Sequence, residues 1–217
     1  MIASTLFRLA GLAAIVAGIS YVIVGVFHPA NVLASVTTPA WSIVHIFALA
    51  LCFFGSFGLT GLYTRQASES GWLGLIGYLM LSLWLAMVMG FTFIEVFVLP
   101  ILATASPAFV ESFVGMFTGS PSTIDLGALP TLWLISSPLY LLGGIVFGIA
   151  TFRARVFPRW AALLLAVGTA AGPAAILFPP DYVGVVAVPV GVALAWLGWA
   201  LWSEKADAGR DVRPPTL

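Results

Sequence analysis

Residues 41–65 read WSIVHIFALALCFFGSFGLTGLYTR, and this stretch decides the fold class. No Lys, Arg, Asp or Glu occurs in it before Arg65. A hydrocarbon core of about 30 Å requires about 20 apolar residues in a helix, whereas the strands of a membrane barrel alternate in polarity over about ten residues. The run is continuous rather than alternating, so it predicts a transmembrane α-helix.

The same criterion, applied to the whole chain, predicts an all-α, polytopic integral membrane protein, a six-transmembrane-helix bundle. The predicted helices are 8–28, 41–64, 71–101, 130–152, 158–178 and 182–203. Residues 1–203 then form a single transmembrane domain, and residues 204–217 a polar, disordered tail. The first predicted helix could instead be a cleaved signal peptide. Its apolar run is longer than the 7–15 residues typical of the apolar region of a signal peptide, which favours a retained helix.

The composition agrees with a membrane protein and excludes several other classes. Charged residues make up 7% of the chain, apolar residues 61%, and the mean hydropathy is +1.12. An ordinary globular protein has about 25% charged residues. A formal net charge of zero and a single cysteine argue against nucleic-acid binding, a disordered chain and a disulfide framework.

The positive charges lie on one side of the predicted helices. They occur at the N-terminus, between helices 2 and 3, between helices 4 and 5, and in the tail. They are Arg8, Arg65, Arg153, Arg155, Arg159, Lys205, Arg210 and Arg213. The positive-inside rule therefore predicts that both termini are cytoplasmic, in a bacterial inner (plasma) membrane. Trp41, Trp133 and Tyr182 begin helices at the opposite face, where we expect them to be interfacial anchors.

Glycines recur every seven residues in the first and last helices. They are Gly11, Gly18 and Gly25 in helix 1, and Gly184, Gly191 and Gly198 in helix 6. Membrane helices associate through close packing at small residues. These stripes predict close helix contacts, within the chain or with a second copy or another membrane subunit.

The longest connection, roughly 103–129, contains a further helix signal. Ser106 followed by Pro107 is typical of a helix start, and Phe109, Phe113 and Phe117 then recur at helical spacing. We expect a short interfacial helix in this outer loop between helices 3 and 4. It either covers helix ends or closes a cavity, and the sequence does not choose between these.

Three ionisable residues occur near the outer face of the predicted bundle: His28, His45 and Glu95. At 1.5 Å per residue, His45 and Glu95 each lie about 6–8 Å below the boundary, and His28 ends helix 1 at the same face. An uncompensated charge at such a position costs several kcal/mol, so Glu95 must face the interior of the bundle. These three residues are the candidate site.

A carboxyl group beside imidazoles has three interpretations. It can be a structural hydrogen-bonded pair. It can be a pocket in which Glu95 and His45 act as catalytic acid and base on a bound ligand. It can be a divalent-metal site with His28, His45 and Glu95 as ligands, since two imidazoles and one carboxylate suit catalytic zinc or non-haem iron. A haem is the weaker variant, because His28 lies too near the surface to clamp a ring.

The leading hypothesis is that this site binds a small ligand or a divalent metal, and the expected partners of the chain are the lipid bilayer and a small hydrophobic ligand or lipid-soluble substrate. Whether it catalyses acid–base or metal-assisted chemistry is open, because no HExxH, CxxC, GxSxG or P-loop motif is present. The alternative is a non-catalytic membrane subunit or a small proton-linked transporter. In that case the histidine–glutamate pair is structural or relays protons. No motif assigns a family.

Overall fold

The structure, a computed structural model, describes residues 2–173 and 180–204 and is all-helical, with 87% helix and no strand in that part of the chain. The helices are α1 (Ile2–Phe27), α2 (Leu33–Val36), α3 (Pro39–Phe93), α4 (Leu99–Ala105), α5 (Pro107–Thr118), α6 (Leu129–Ala154), α7 (Arg159–Ala170) and α8 (Val188–Ser203). A π-helical turn, Ile94–Val98, joins α3 to α4, and a 3-10 helix, Pro180–Ala187, precedes α8.

Helix α3 reverses direction at Gly71, where φ is 55° and ψ is −149°. A positive φ of this size is strained for residues with a Cβ and is ordinary for glycine. The two arms, 39–70 and 72–93, therefore fold against each other as a hairpin. Tyr63 stacks on Tyr78 with ring centroids 4.6 Å apart, and Gly55 lies against Leu85. These arms correspond to the second and third predicted helices.

Within the described residues, four continuous segments are long and apolar enough to cross a membrane: Ser4–Phe27, Pro39–Ala105, Leu129–Ala154 and Gly184–Ser203. The all-α prediction is confirmed, and these segments are compatible with a membrane location. The fifth predicted helix, 158–178, is shorter than expected, because α7 ends at Ala170 after 12 residues. Residues 174–178 of that prediction, and the predicted tail beyond Glu204, lie outside the described residues.

The glycine stripe of α1 faces the glycine stripe of the segment Gly184–Ser203, in agreement with the close helix contacts that the stripes predicted. A Cβ on Gly11 would lie 2.5 Å from the backbone N of Trp202, and one on Gly25 would lie 2.7 Å from the carbonyl O of Gly184. Gly18 likewise meets the backbone of Gly191. The two glycine stripes therefore pack against each other within the chain.

The bundle has two chemically different ends. The histidine end contains His28, His45 and Glu95. The arginine end contains Arg65 and Arg153, and there Arg65 Nε donates to Glu204 Oε2 at 2.7 Å. Between them lies an apolar core that includes Leu59, Leu62, Leu85, Phe147, Leu165 and Leu197.

Helix α5 closes the histidine end. It begins at Pro107 as predicted, although the Ser106 side chain makes no capping hydrogen bond, and it ends at Gly119, where φ is 74°. Phe113 is fully buried, whereas Glu111 and Thr118 are exposed. The buried face of α5 packs in an aromatic layer formed by Val36, Trp41, Phe91, Leu99, Val110, Phe113 and Val114. Helix α5 therefore covers the ends of α3 and α4.

Candidate functional site

The three candidate residues meet at the histidine end, around the indole of Trp41. The rings of His28 and His45 are 4.9 Å apart, and those of His45 and Trp41 are 4.1 Å apart. His45 Nε2 lies 3.5 Å from Glu95 Oε1. His45 and Glu95 are almost fully buried, with 1% and 7% of their surfaces exposed.

Trp41 lies at the centre of this site and contacts both His45 and Glu95, which the sequence did not indicate. The expectation of an interfacial anchor was wrong, because Trp41 is completely buried. Its indole Nε1–H donates to the backbone carbonyl of Glu95 at 2.8 Å. The helix begins just before it, where Thr38 Oγ1 accepts a hydrogen bond from the Trp41 backbone N–H. Trp41 therefore ties the start of α3 to the π-helical turn.

The π-helical turn explains why the carbonyl of Glu95 is available. The N–H of Leu99 bonds to the carbonyl of Ile94, five residues earlier, which is the π-helical pattern. In the same pattern the carbonyl of Glu95 would accept from residue 100. Residue 100 is proline and has no N–H. The Trp41 indole supplies the missing donor, so Pro100, the π-turn and Trp41 together fix the backbone that carries Glu95.

The hydrogen bond at His45 Nδ1 sets the tautomer of the ring. Nδ1 lies 2.8 Å from the backbone carbonyl of Trp41, and a carbonyl oxygen can only accept. On this hydrogen-bond network Nδ1 carries a proton, and Nε2 of the neutral ring presents a lone pair. Nε2 faces the carboxyl group of Glu95, yet the 3.5 Å approach is not a formed hydrogen bond, and Nε2 has no other partner among the described residues.

Two acceptors therefore face each other in a buried position. Neither a neutral imidazole Nε2 nor an ionised carboxylate carries a hydrogen that it could donate to the other. Each buried acceptor that lacks a donor costs free energy. The arrangement is satisfied when a proton lies between the two atoms, or when a cation or a ligand donor group does.

His28 lies at the edge of the site and is half-buried. Its Nδ1 donates to the carbonyl of Pro29 at 2.7 Å. Burial lowers the pKa of His28 below its ordinary value; nearby His45 lowers it further, and Glu95 opposes the shift. His28 is therefore held neutral beside His45 at physiological pH.

The predicted metal ligands are brought near one another, but not as a ready coordination shell. Among residues 2–173 and 180–204, no group of three or more His, Cys, Asp and Glu side chains is arranged to hold a metal ion. Cys52, the single cysteine of the chain, is buried. The metal set of His28, His45 and Glu95 stays a prediction.

A second polar cluster, at the arginine end, was missed because the second predicted helix stopped at residue 64. The arm actually continues to Ser70. Gln66 is fully buried and its Nε2 donates to Thr151 Oγ1 at 2.9 Å, while its Oε1 has no partner within the part of the chain that the structure describes. This pair ties α3 to α6.

The comparisons with known proteins add no assignment: no family model, no curated protein and no solved structure matches the chain.

Proposed function

We propose that this chain is a membrane protein whose His45–Glu95 pair binds the donor group of a small ligand and exchanges a proton with it. One observation carries the proposal. His45 Nδ1 is committed to the Trp41 carbonyl, so that a buried, unpartnered Nε2 faces the carboxyl group of Glu95 at 3.5 Å. An amine with two N–H donors, or a bound proton shared between the two atoms, satisfies both groups at once. Glu95 is the acid or base, and His45 its partner.

Access to the pair is proposed to pass through the histidine end. His28 is only half-buried beside His45, while α5 covers the neighbouring aromatic layer through Phe113. A ligand entering past His28 meets His45 first and Glu95 behind it. Helix α5 is then the element that excludes water from the loaded site.

We also propose the membrane topology that the charges favour: six crossings in a bacterial inner membrane with both termini cytoplasmic. The cations at the arginine end support this orientation, and so does the hairpin at Gly71, which makes two crossings of one long segment. The histidine end then faces the periplasm. Cysteines placed at Ser122 and at Arg155 in a Cys52→Ala background test it: a membrane-impermeant thiol reagent should label position 122 in intact cells and position 155 only after lysis.

The thermal stability of Glu95→Gln separates a binding site from a structural pair. A glutamine amide can donate an N–H to His45 Nε2, which removes the acceptor–acceptor conflict. We therefore expect the purified variant to keep or raise its melting temperature, as often happens when a functional group is removed. A loss of more than about 1 kcal/mol, typical of a broken buried hydrogen bond, would show the pair to be structural.

Two spectroscopic and analytical measurements define what the pair binds. Infrared titration should reveal a protonated carboxyl band that is absent in Glu95→Gln. Metal analysis of protein purified without chelators, wild type against His45→Ala, tests the divalent-metal version. A stoichiometric metal lost in His45→Ala would replace the proton-exchange proposal with a metal centre.

A proton-linked transporter is the second candidate, and interrupted helices favour it. The π-turn Ile94–Val98 carries Glu95 itself, and the 3-10 segment Pro180–Ala187 breaks the helical path before α8. Discontinuous helices beside a binding site are characteristic of secondary transporters. Proton uptake by reconstituted vesicles that depends on Glu95 would favour this candidate over an enzyme.

A further inference from the structure

The centre of the bundle contains a small cavity of about 50 Å³. Its wall is contributed by α1, both arms of α3, and helices α6, α7 and α8. The lining residues are apolar or aromatic almost throughout; among them are Tyr21, Leu59, Leu85, Trp84, Tyr140 and Phe147. The cavity lies toward the arginine end from His45, since Leu51, Gly55 and Leu59 follow His45 by two to four turns of α3.

Three aromatic rings form one part of the wall. The rings of Trp84 and Tyr140 are 4.7 Å apart, and Tyr21 lies 6.3 Å from Trp84 and 6.4 Å from Tyr140. The hydroxyl of Thr169, also in the lining, already donates to the Leu165 carbonyl at 2.6 Å. The wall thus presents flat apolar surfaces and few free polar atoms.

Water is a poor occupant of this space. A buried water needs two to four polar partners, and apolar cavities of proteins stay dry. An empty void is also costly, because the atoms that line it lose their dispersion contacts in proportion to its size. The surrounding helices cannot close it by moving together, since they already touch backbone to backbone at Gly18 and at Gly77, which meets the backbone of Phe147.

We infer that the cavity binds one segment of a single hydrocarbon chain, from the acyl or prenyl tail of a membrane lipid. The volume of about 50 Å³ is several times the roughly 10–15 Å³ that one water needs, and the lining is apolar, as the walls of small-molecule sites mainly are. The lining residues belong to the apolar helices, so the available occupants are drawn from the bilayer. Since lipid tails are as apolar as leucine, binding is driven by filling the void and by contact with the three rings. This inference does not depend on the His45–Glu95 proposal.

Photolabelling of the purified full chain tests the inference. The probes are a diazirine-bearing palmitic acid and a diazirine-bearing farnesol, which distinguish an acyl from a prenyl source. We expect one of them to label the peptides that contain Tyr21, Tyr140 or Phe147, and excess unlabelled chain to suppress this labelling. Labelling confined to lipid-facing residues, or insensitive to competitor, would overturn the inference without any variant.

A matched pair of variants on one arm of α3 sharpens the result. Leu85 lines the cavity and is 4% exposed, whereas Leu83, two residues away, is 52% exposed. Leu85→Trp fills part of the cavity and should reduce the labelling several-fold, while Leu83→Trp should leave it unchanged. Equal labelling of both folded variants contradicts the inference.

His45→Ala serves as the control that separates the two sites. It should leave the labelling at the cavity intact whatever its effect at the histidine end. Loss of cavity labelling in His45→Ala together with unchanged labelling in Leu85→Trp would assign the hydrocarbon chain to the histidine end instead.

Discussion

Replacing Trp41 with phenylalanine isolates the hydrogen bond that holds the π-turn. In the wild type, the indole N–H donates to the Glu95 carbonyl at 2.8 Å. In Trp41→Phe that carbonyl has no donor, because Leu99 bonds to Ile94 and Pro100 has no N–H. A buried carbonyl left unsatisfied costs about 1–3 kcal/mol. The smaller ring adds roughly 1–2 kcal/mol for lost packing at a fully buried position.

The assay is the apparent melting temperature in detergent at a fixed scan rate. Each kcal/mol shifts the melting temperature of a chain of this size by about 2–4 °C, so the variant should melt roughly 5–15 °C lower. Trp133→Phe is the matched control. Trp133 packs against Phe91 and Phe117 in the same layer, and its indole makes no hydrogen bond within the described part of the chain. It should lose only the packing contribution.

A second substitution tests the explanation itself. Pro100→Ala supplies an N–H five residues after Glu95, where the carbonyl needs one. In the Trp41→Phe background it should therefore recover a large part of the lost stability, so that the double variant is more stable than the sum of the single effects predicts. If Trp41→Phe melts no lower than Trp133→Phe, or if Pro100→Ala brings no recovery, the account of the π-turn is wrong.

Three further perturbations probe other parts of the fold. Gly18→Val should lower the free energy of unfolding by more than about 4 kcal/mol, because its Cβ would clash with the backbone of α8. Gly90→Val is the control, since a Cβ at Gly90 meets nothing within 4 Å. The folded fraction of both variants is measured by size-exclusion chromatography. Arg65→Ala should cost less than about 1 kcal/mol in thermal unfolding, because both partners of its ion pair with Glu204 are about one-third exposed. The pKa of His28, which faces His45 and Glu95, is lowered on folding, so the unfolded chain takes up this proton first and stability falls as the pH drops below about 6.5. His28→Asn should weaken that fall in the melting temperature, and an unchanged pH profile would contradict it.

The sequence predicted most of the helices because each of them arises from a local property, a continuous run of apolar residues. Continuous apolar runs indicated α1, both arms of α3, and α6. The glycine spacing predicted close helix contacts for the first and last helices, but it did not indicate that these two helices contact each other. The end of α7 at Ala170 was not predictable in the same way. The apolar composition continues past it, so hydropathy gave no signal that the helix would stop.

The candidate site was predictable in its members but not in its geometry. Rare ionisable residues at one depth identified His28, His45 and Glu95. The orientation of His45 depends on a carbonyl four residues earlier, and that of Glu95 depends on Trp41, 54 residues away in the chain. The contact between Trp41 and Glu95 is long-range, and the local sequence pattern does not indicate it. The one local signal was Pro100, which deprives a carbonyl of its donor.

The π-turn at Ile94–Val98 also determines how the helix that follows it is rotated about its own axis. A π-turn holds one residue more than an α-helical turn, and each residue rotates a helix by about 100°. Helix α4 is therefore rotated by that angle relative to an uninterrupted continuation of α3. Deleting one residue from the turn would reset this phase, swing Leu99 out of the aromatic layer and misalign α5. The length of this segment, counted in single residues, is thus constrained more strictly than the identity of its side chains, and substitutions there should be tolerated far better than deletions.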